Sequence, residues 1–367
     1  VKKPPVYVKS WNAVTPLGNG IDTMFSRMSA GETACRVHHD PALYPEPFCA
    51  SVFENYAPLP GFSKLESLIM ECLRPIVPAE VAESEKTVFI FSTTKGNVDA
   101  LHAAQPVPPD AYLWQTADKI AKHFRNPNRA YTVSNACVSG IMAQNLGFDL
   151  LRSGTFEHAV VFGADLVTAF VLSGFGSFKA MSPEQSKPFD KDRIGINLGE
   201  GAGAVVLSLH PGDFAVRLTG TGSGNDANHI SGPSRTGDGL LVAVNEALRE
   251  AGVTAAEMDY LSAHGTATPY NDEMESLAFT SAGLTQTPLN SMKGYFGHTL
   301  GAAGLIETAV LLECMRRQTL LPSPGYTEHG VTGTLNVITK PAQTPIRKAI
   351  KTGSGFGGCN AASVFEM

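Results

Sequence analysis

The side chains in this sequence that could do chemistry together are one cysteine, two histidines and a lysine, each beside glycine or another small residue. Cys137 stands in Val133-Ser134-Asn135-Ala136-Cys137-Val138-Ser139-Gly140. His264 opens His264-Gly265-Thr266-Ala267-Thr268-Pro269, and His298 closes Lys293-Gly294-Tyr295-Phe296-Gly297-His298. A late glycine turn follows in Gly353-Ser354-Gly355-Phe356-Gly357-Gly358-Cys359-Asn360. A thiol nucleophile with two imidazoles suits acyl transfer through a thioester, and the flanking glycines let backbone N–H groups approach an oxyanion. Taken singly, each stretch has a plainer explanation. Cys137 fits a small buried hydrophobe, Lys293 a solvated charge, and 353–358 an ordinary turn. Their conjunction is what points to a site.

The elements around them read as alternating strands and helices. A β-favouring run at 130–133 feeds a polar turn and Cys137. A helix follows, with Ile141, Met142, Leu146, Leu150 and Leu151 at helical spacing and a stop at Gly154. This places Cys137 in the first turn of a helix, where unpaired N–H groups and the macrodipole favour the thiolate. His264 falls at the C-terminal end of a predicted strand at 260–263, where α/β proteins build sites. Strands are also expected at 6–15, 86–92, 158–162, 198–208, 214–218, 335–338, 348–352 and 361–365. Helices are expected at 22–29, 64–73, 113–124, 238–251 (stopped by Gly252), 272–279 and 301–317. The apolar run 159–178 reads as buried strand plus loop, because glycines and polar residues interrupt it well short of the roughly 20 apolar residues of a membrane span. Gly199, Gly201 and Gly203 are followed by a strand rather than a helix, so they suit close packing beneath a site and not a phosphate loop. The pattern indicates α/β layers, and the comparable order of elements in 1–210 and 211–367 hints at a duplicated unit.

Composition narrows the function classes. The chain has 367 residues, 43% hydrophobic and 17% charged, with a formal net charge of −6. An acidic balance argues against nucleic acid as a main partner and leaves room for a local basic patch that meets an acidic protein. The six cysteines are scattered without a C-x-x-C or a His/Cys cluster of metal type, so free thiols in a reducing compartment and no metal are expected. Val1-Lys2-Lys3-Pro4-Pro5 leads straight into strand-like Val6-Tyr7-Val8 without a secretory pattern, which suits a cytoplasmic protein, and the absent initiator Met suggests a trimmed chain.

The four stretches resemble the motifs of β-ketoacyl-acyl-carrier-protein synthases, the condensing enzymes of the thiolase superfamily. Ala136-Cys137-Val138-Ser139-Gly140 resembles the nucleophile motif, the His264 and His298 stretches the two histidine motifs, and Gly355-Phe356-Gly357-Gly358-Cys359-Asn360 the C-terminal glycine turn. Lys187-Pro188-Phe189-Asp190, the glycines at 199–203, and Asn271-Asp272 with Glu275 support the match. It covers about residue 130 to the end and returns at 6–31. The resemblance implies a five-layered αβαβα thiolase-like fold of two pseudo-duplicated halves, 1–210 carrying the nucleophile and 211–367 the two histidines.

It also implies a catalytic set of Cys137, His264, His298, Lys293 and Glu307. Cys137 would accept an acyl group, and the histidines would promote decarboxylation of a malonyl thioester and stabilise the enolate. Lys293 would hold that network, with Glu307 as its partner. The backbone N–H groups of Cys137 and Phe356 would form the oxyanion hole, and the Phe356 ring, with Phe175 opposite, would gate the acyl pocket. Thr266 and Thr268 would bind the phosphopantetheine arm of an acyl carrier protein, and Lys179 would contact that carrier. The implied partners are the carrier and, in a homodimer or heterodimer, a second chain of the same kind. No cofactor beyond the carrier's own arm is implied. Two departures stand out: 35–130, which in the family covers the pocket and part of the dimer surface, is shorter than usual, and Cys359 replaces the usual Thr. In degradative thiolases a late Cys near a glycine turn moves a proton, but the surrounding pattern is synthase-like and suits a small buried residue. The competing readings are a non-catalytic partner resembling a chain-length factor and a thiolase acting on coenzyme A esters.

Overall fold

The computed structural model describes residues 3–101 and 105–367, so the opening Val1-Lys2 lies outside the described residues. In the first half β1 (Val6–Thr15) leads to α1 (Ile21–Ser29), and β2 (Arg36–His38) pairs with β3 (Phe48–Ser51) in a small side sheet. Then come α2 (Lys64–Leu73), β4 (Thr87–Ser92), α3 (Leu113–His123), β5 (Tyr131–Val133), α4 (Ser139–Arg152), β6 (His158–Asp165), α5 (Ala169–Ser177), β7 (Leu198–Gly199) and β8 (Gly201–Ser208). The second half has β9 (Val216–Asn225), α6 (Asp238–Ala251), β10 (Tyr260–Ser262), α7 (Pro269–Ser281), β11 (Pro288–Asn290) and α8 (Lys293–Phe296). It ends with α9 (Ala303–Arg317), β12 (Asn336–Val337), β13 (Lys348–Gly355) and β14 (Cys359–Glu366).

The strands run in the order β12-β11-β10-β13-β14-β9-β1-β8-β6-β4-β5. In β5-β4-β6 neighbours are parallel, and β8 and β1 then add antiparallel. In β11-β10-β13 neighbours are again parallel, and β14 and β9 then add antiparallel. The two half-sheets thus share one topology, and among the described residues their strands pair where β1 meets β9, at Val6–Leu218, Tyr7–Arg217 and Val8–Val216. Helices α4 and α9 pack between the half-sheets, α2 and α3 cover the outer face of the first, and α6 and α7 cover the second. This is the five-layered thiolase-like α/β fold, duplicated at the level of topology.

Local chemistry explains the elements that matter. Helix α9 is buried from Ala303 through Met315, as a helix apolar on nearly every side must be, and Leu305, Ile306 and Val310 join Val8, Val205 and Ile90 in the central core. Helix α2 starts in a capping box: the Ser63 hydroxyl accepts from the Glu66 N–H at 3.2 Å, and the Glu66 carboxylate accepts from the Ser63 N–H at 2.8 Å. Its Leu65, Leu68 and Ile69 pack on Phe89, Phe91 and Phe162. Gly252, at φ 73°, ends α6 in the left-handed conformation.

Several sequence expectations need correction. The run 159–178 is a strand and then a helix, α5, whose N-cap Thr168 accepts from the Val171 N–H at 3.2 Å. The strand expected at 198–208 is broken. Glu200 turns inward to accept from the N–H of Phe53 at 2.7 Å and of Val167 at 3.3 Å and to pair with Lys64 at 2.5 Å. That leaves β7 with β3 and sends β8 into the main sheet. Strand β9 runs on to Asn225, well past Leu218, because β14 pairs with it along its length. Among the described residues no helix is long and apolar enough to cross a membrane.

Candidate active site

Cys137 lies in the turn between β5 and α4, not in the helix. The helix cap is Val138 and its first residue Ser139, and Ala136 takes φ 45°, a left-handed turn that swings Cys137 out of line with the strand. The Ser139 hydroxyl ties the turn, accepting from the Asn135 N–H at 2.8 Å and donating to the Ala136 carbonyl at 2.6 Å. Contrary to the helix-start expectation, the thiolate is not easily reached. Burial pushes the Cys137 thiol up to about 12, while the Lys293 charge opposes that shift and loses.

His264 begins the loop after β10, and carboxylates on α7 hold that loop. Glu275 accepts from the N–H groups of His264 at 2.8 Å and Gly265 at 2.6 Å, and Asp272 from those of Thr266 at 2.9 Å and Ala267 at 3.1 Å. Burial, then the neighbouring Asp272 charge, raises Glu275 to about 7. His298 follows α8 and is braced by the glycine-rich strand: its N–H donates to the Asn197 carbonyl at 2.7 Å, and its carbonyl accepts from the Gly199 N–H at 3.0 Å. Sequence reasoning put those glycines beneath a site, and Gly199 lies directly under His298.

The Cys137 sulfur and ring nitrogens of His264 and His298 lie within 4.8 Å of one another. The two rings are edge to face, with centroids 5.1 Å apart. No other group of three metal-ligating side chains clusters this way among the described residues. Lys293 Nζ is 2.7 Å from Glu307 Oε1 and 3.3 Å from His264 Nδ1, and it also donates to the His264 carbonyl. An ammonium has only protons to give, so His264 Nδ1 accepts and the ring proton sits on Nε2, away from Lys293. Burial, then the Lys293 charge, holds both histidines well below the ordinary imidazole range, so both are neutral near pH 7. Neither His298 ring nitrogen has a hydrogen-bond partner among the described residues, which leaves them free for a substrate.

These groups open into a cavity of about 300 Å³ lined by Cys137, His264, His298, Thr266, Thr268 and Phe356 among others. The two threonine hydroxyls share a hydrogen bond of 2.8 Å. Phe356 stacks on Phe175 with centroids 5.9 Å apart, and Phe178, which sequence reasoning did not single out, meets it edge-on at 5.4 Å. The end of β13 lies against the nucleophile's amide: a Cβ on Gly355 would sit 3.0 Å from Cys137 N, so only glycine lets the Phe356 backbone approach. Lys179 is exposed and outside the cavity lining. Cys359 is half-buried, packs near Val138 and Ile141, and also stays outside the lining. The residue that sequence reasoning missed is Lys351 on β13, fully enclosed and 2.6 Å from Glu307 Oε2 as an ion pair outside hydrogen-bond geometry. Its signal was visible: a lysine in the middle of a strand that otherwise reads as buried.

Residues 94–210 match the N-terminal domain of beta-ketoacyl synthases, and residues 215–327 match the C-terminal domain. The chain belongs to the β-ketoacyl synthase family. Among curated relatives of this family, the 3-oxoacyl-[acyl-carrier-protein] synthase 2 of Vibrio cholerae is 33% identical over 67% of this chain and 64% of its own length. The chain therefore matches just under two thirds of that relative. A putative mitochondrial 3-oxoacyl-[acyl-carrier-protein] synthase of Schizosaccharomyces pombe is 25% identical over 98% of both chains. The solved ketosynthase ApeO of Xenorhabdus doucetiae, in complex with its chain length factor ApeC, superposes with a TM-score of 0.90 at 26% identity, covering 99% of this chain and 98% of that one.

Proposed function

We propose that this β-ketoacyl synthase family member is a decarboxylating condensing enzyme that works through an acyl thioester on Cys137. The observation that carries the reading is the approach of the Cys137 sulfur and the ring nitrogens of two neutral, buried histidines to within 4.8 Å at one cavity. In the first half-reaction the Cys137 sulfur attacks the carbonyl of a carrier-bound acyl thioester. The carrier's sulfur leaves and takes the proton that Cys137 gives up. In the second, the bond between the malonyl carboxylate and its α-carbon breaks and CO₂ departs. The electron pair moves into an enolate whose oxygen the His264 and His298 N–H donors stabilise. The enolate carbon then attacks the Cys137 thioester, and Cys137 leaves and regains a proton. The products are β-ketoacyl carrier, CO₂ and free enzyme.

In this reading the Cys137 and Phe356 amides bind the thioester oxygen, the phenylalanine cluster of Phe175, Phe178 and Phe356 controls entry of the acyl chain, and Thr266 and Thr268 hold the phosphopantetheine arm. Lys179 meets the carrier at the surface. The second chain is a related ketosynthase-like protein, in keeping with the ApeO–ApeC complex. Incubation with acyl-carrier thioesters is expected to add the acyl mass to Cys137, and malonyl carrier is then expected to give β-ketoacyl carrier. The absence of acylation, or acylation unchanged in Cys137→Ala, would overturn the proposal. A chain-length-factor role would show as no acylation, and a thiolase as turnover of coenzyme A esters without CO₂.

A further inference from the structure

A buried charge close behind the histidines stands outside the proposed mechanism. Lys351 is fully enclosed, and its Nζ donates to the carbonyls of Ser262 at 3.2 Å and Ala263 at 3.0 Å, the two residues that immediately precede His264. It also meets Glu307 Oε2 at 2.6 Å, while Glu307 Oε1 meets Lys293 at 2.7 Å. One carboxylate is therefore shared by two ammonium groups. Lys293 and Glu307 alone would be neutral as a pair; Lys351 adds a second ammonium directly behind the histidines, which burial pushes below its ordinary range while Glu307 opposes that shift. For stability alone an apolar residue would serve as well or better, since a buried charge loses its hydration.

Charged and titratable groups face the histidines from several elements, and Asp226 and His229 line the same cavity. On the inner side stand Lys293, Lys351 and Glu307. The Glu275 and Asp272 carboxylates hold the His264 loop from α7, and across the cavity stands Cys137, which itself faces Asp165 and Lys95. Both imidazoles feel Lys351 as well as Lys293, after burial.

We propose that Lys351 is a positioning residue for decarboxylation: its two hydrogen bonds anchor the peptide that carries His264, and its ammonium, shared with Lys293 on one carboxylate, adds to burial and Lys293 in disfavouring a protonated imidazole. The inference rests on the condensing-enzyme reading above. A protonated imidazole would pair with the malonyl carboxylate and so stabilise the ground state that must lose CO₂. It would also protonate the enolate carbon and release acetyl carrier in place of the condensed product.

The test uses histidine-selective ¹⁵N NMR titration of the protein alone, together with the pH profile of CO₂ release from malonyl carrier. In the wild type both histidines are expected to titrate well under the free imidazole value near 6.5. Titration of either close to 6.5 overturns the proposal. In Lys351→Met and in Lys351→Ser, which leaves room for water at the two carbonyls, the histidines are expected to titrate higher. The acid limb of CO₂ release moves up with them by about one pH unit, a tenfold loss at a fixed pH on that limb, and acetyl carrier accumulates. A folded variant whose histidine titration and acid limb both stay put overturns the charge role. If the wild type releases no CO₂, the condensing reading falls, while the NMR arm, which needs no substrate, still decides what Lys351 does to the histidines.

Discussion

At the scale of single residues, burial keeps charge off the cysteine and the two histidines of the candidate site. Burial raises the Cys137 thiol to about 12 and lowers both histidines, so the resting triad is a neutral thiol facing neutral imidazoles. Only the thiolate reacts with iodoacetamide. A raised pKa means that the reactive form keeps increasing with pH past the point where an ordinary thiol, half ionised near 8.5, has levelled off. Alkylation of Cys137, followed by peptide mass spectrometry, should therefore rise without a plateau from pH 7 to 10. A plateau below pH 9 would show that the helix start wins over burial after all. Lys293 answers to a different measurement. With Glu307 it forms an ion pair in which neither side chain is more than 1% exposed. Lys293→Met removes one of Glu307's two partners; because Lys351 still compensates the carboxylate, the loss should fall below the ~3–5 kcal/mol of breaking an isolated buried pair, readable as a lower urea midpoint. CO₂ release should fall in the same variant.

At the scale of elements, the contact that brings the two halves of the site together is α4 against α9. Gly140 and Gly304 let the two backbones meet: a Cβ on Gly304 would sit 2.7 Å from Ile141 N, and one on Gly140 2.9 Å from Leu305 N. Side chains there would push the helix behind Cys137 away from the helix that carries Glu307. Gly304→Ala should therefore destabilise by about 1–3 kcal/mol, the cost of overpacking a dense core, measured by urea unfolding. Its Cys137 acylation rate should drop in parallel even where the protein is fully folded. Wild-type acylation in a destabilised Gly304→Ala would show that helix spacing does not reach the nucleophile.

At the scale of the whole molecule, the sheet ends on one side at β5, three residues before the Ala136 turn that carries Cys137, and among the described residues no strand pairs with its outer edge. Beside it Trp114 and Tyr131 are 46% and 44% exposed. Unpaired strand edges next to exposed aromatics pair with another chain unless something blocks them, and this is where the proposed second chain adds. Where the second chain is another copy of this one, analytical ultracentrifugation should find the wild type larger than its own 38.9 kDa, and Tyr131→Asp, which puts a charge on that edge, should sediment as the monomer. An unchanged dimer in Tyr131→Asp would move the interface elsewhere.

Much of this was legible from residues alone. Strand β1, helices α2 and α6, the glycine stop after α6 and the four motifs carry strong local signals: alternation or helical spacing, a capping box, a residue free to take positive φ. The pairing of Lys293 with Glu307 was also within reach, as what the family resemblance implies. Three features depended on the tertiary structure. Glu200 breaks a continuous apolar strand because it finds Phe53, Val167 and Lys64 far away in sequence. Cys137 stands outside its helix, with a thiol raised rather than lowered, because desolvation by distant segments outweighs the local helix field. Lys351 is a charge in a buried strand that only the fold sets against Glu307. Local periodicity and motif spacing determined which residues could react; the electrostatic state in which they wait was decided by packing, since burial and charge pairing are sums over neighbours that only the folded chain brings together.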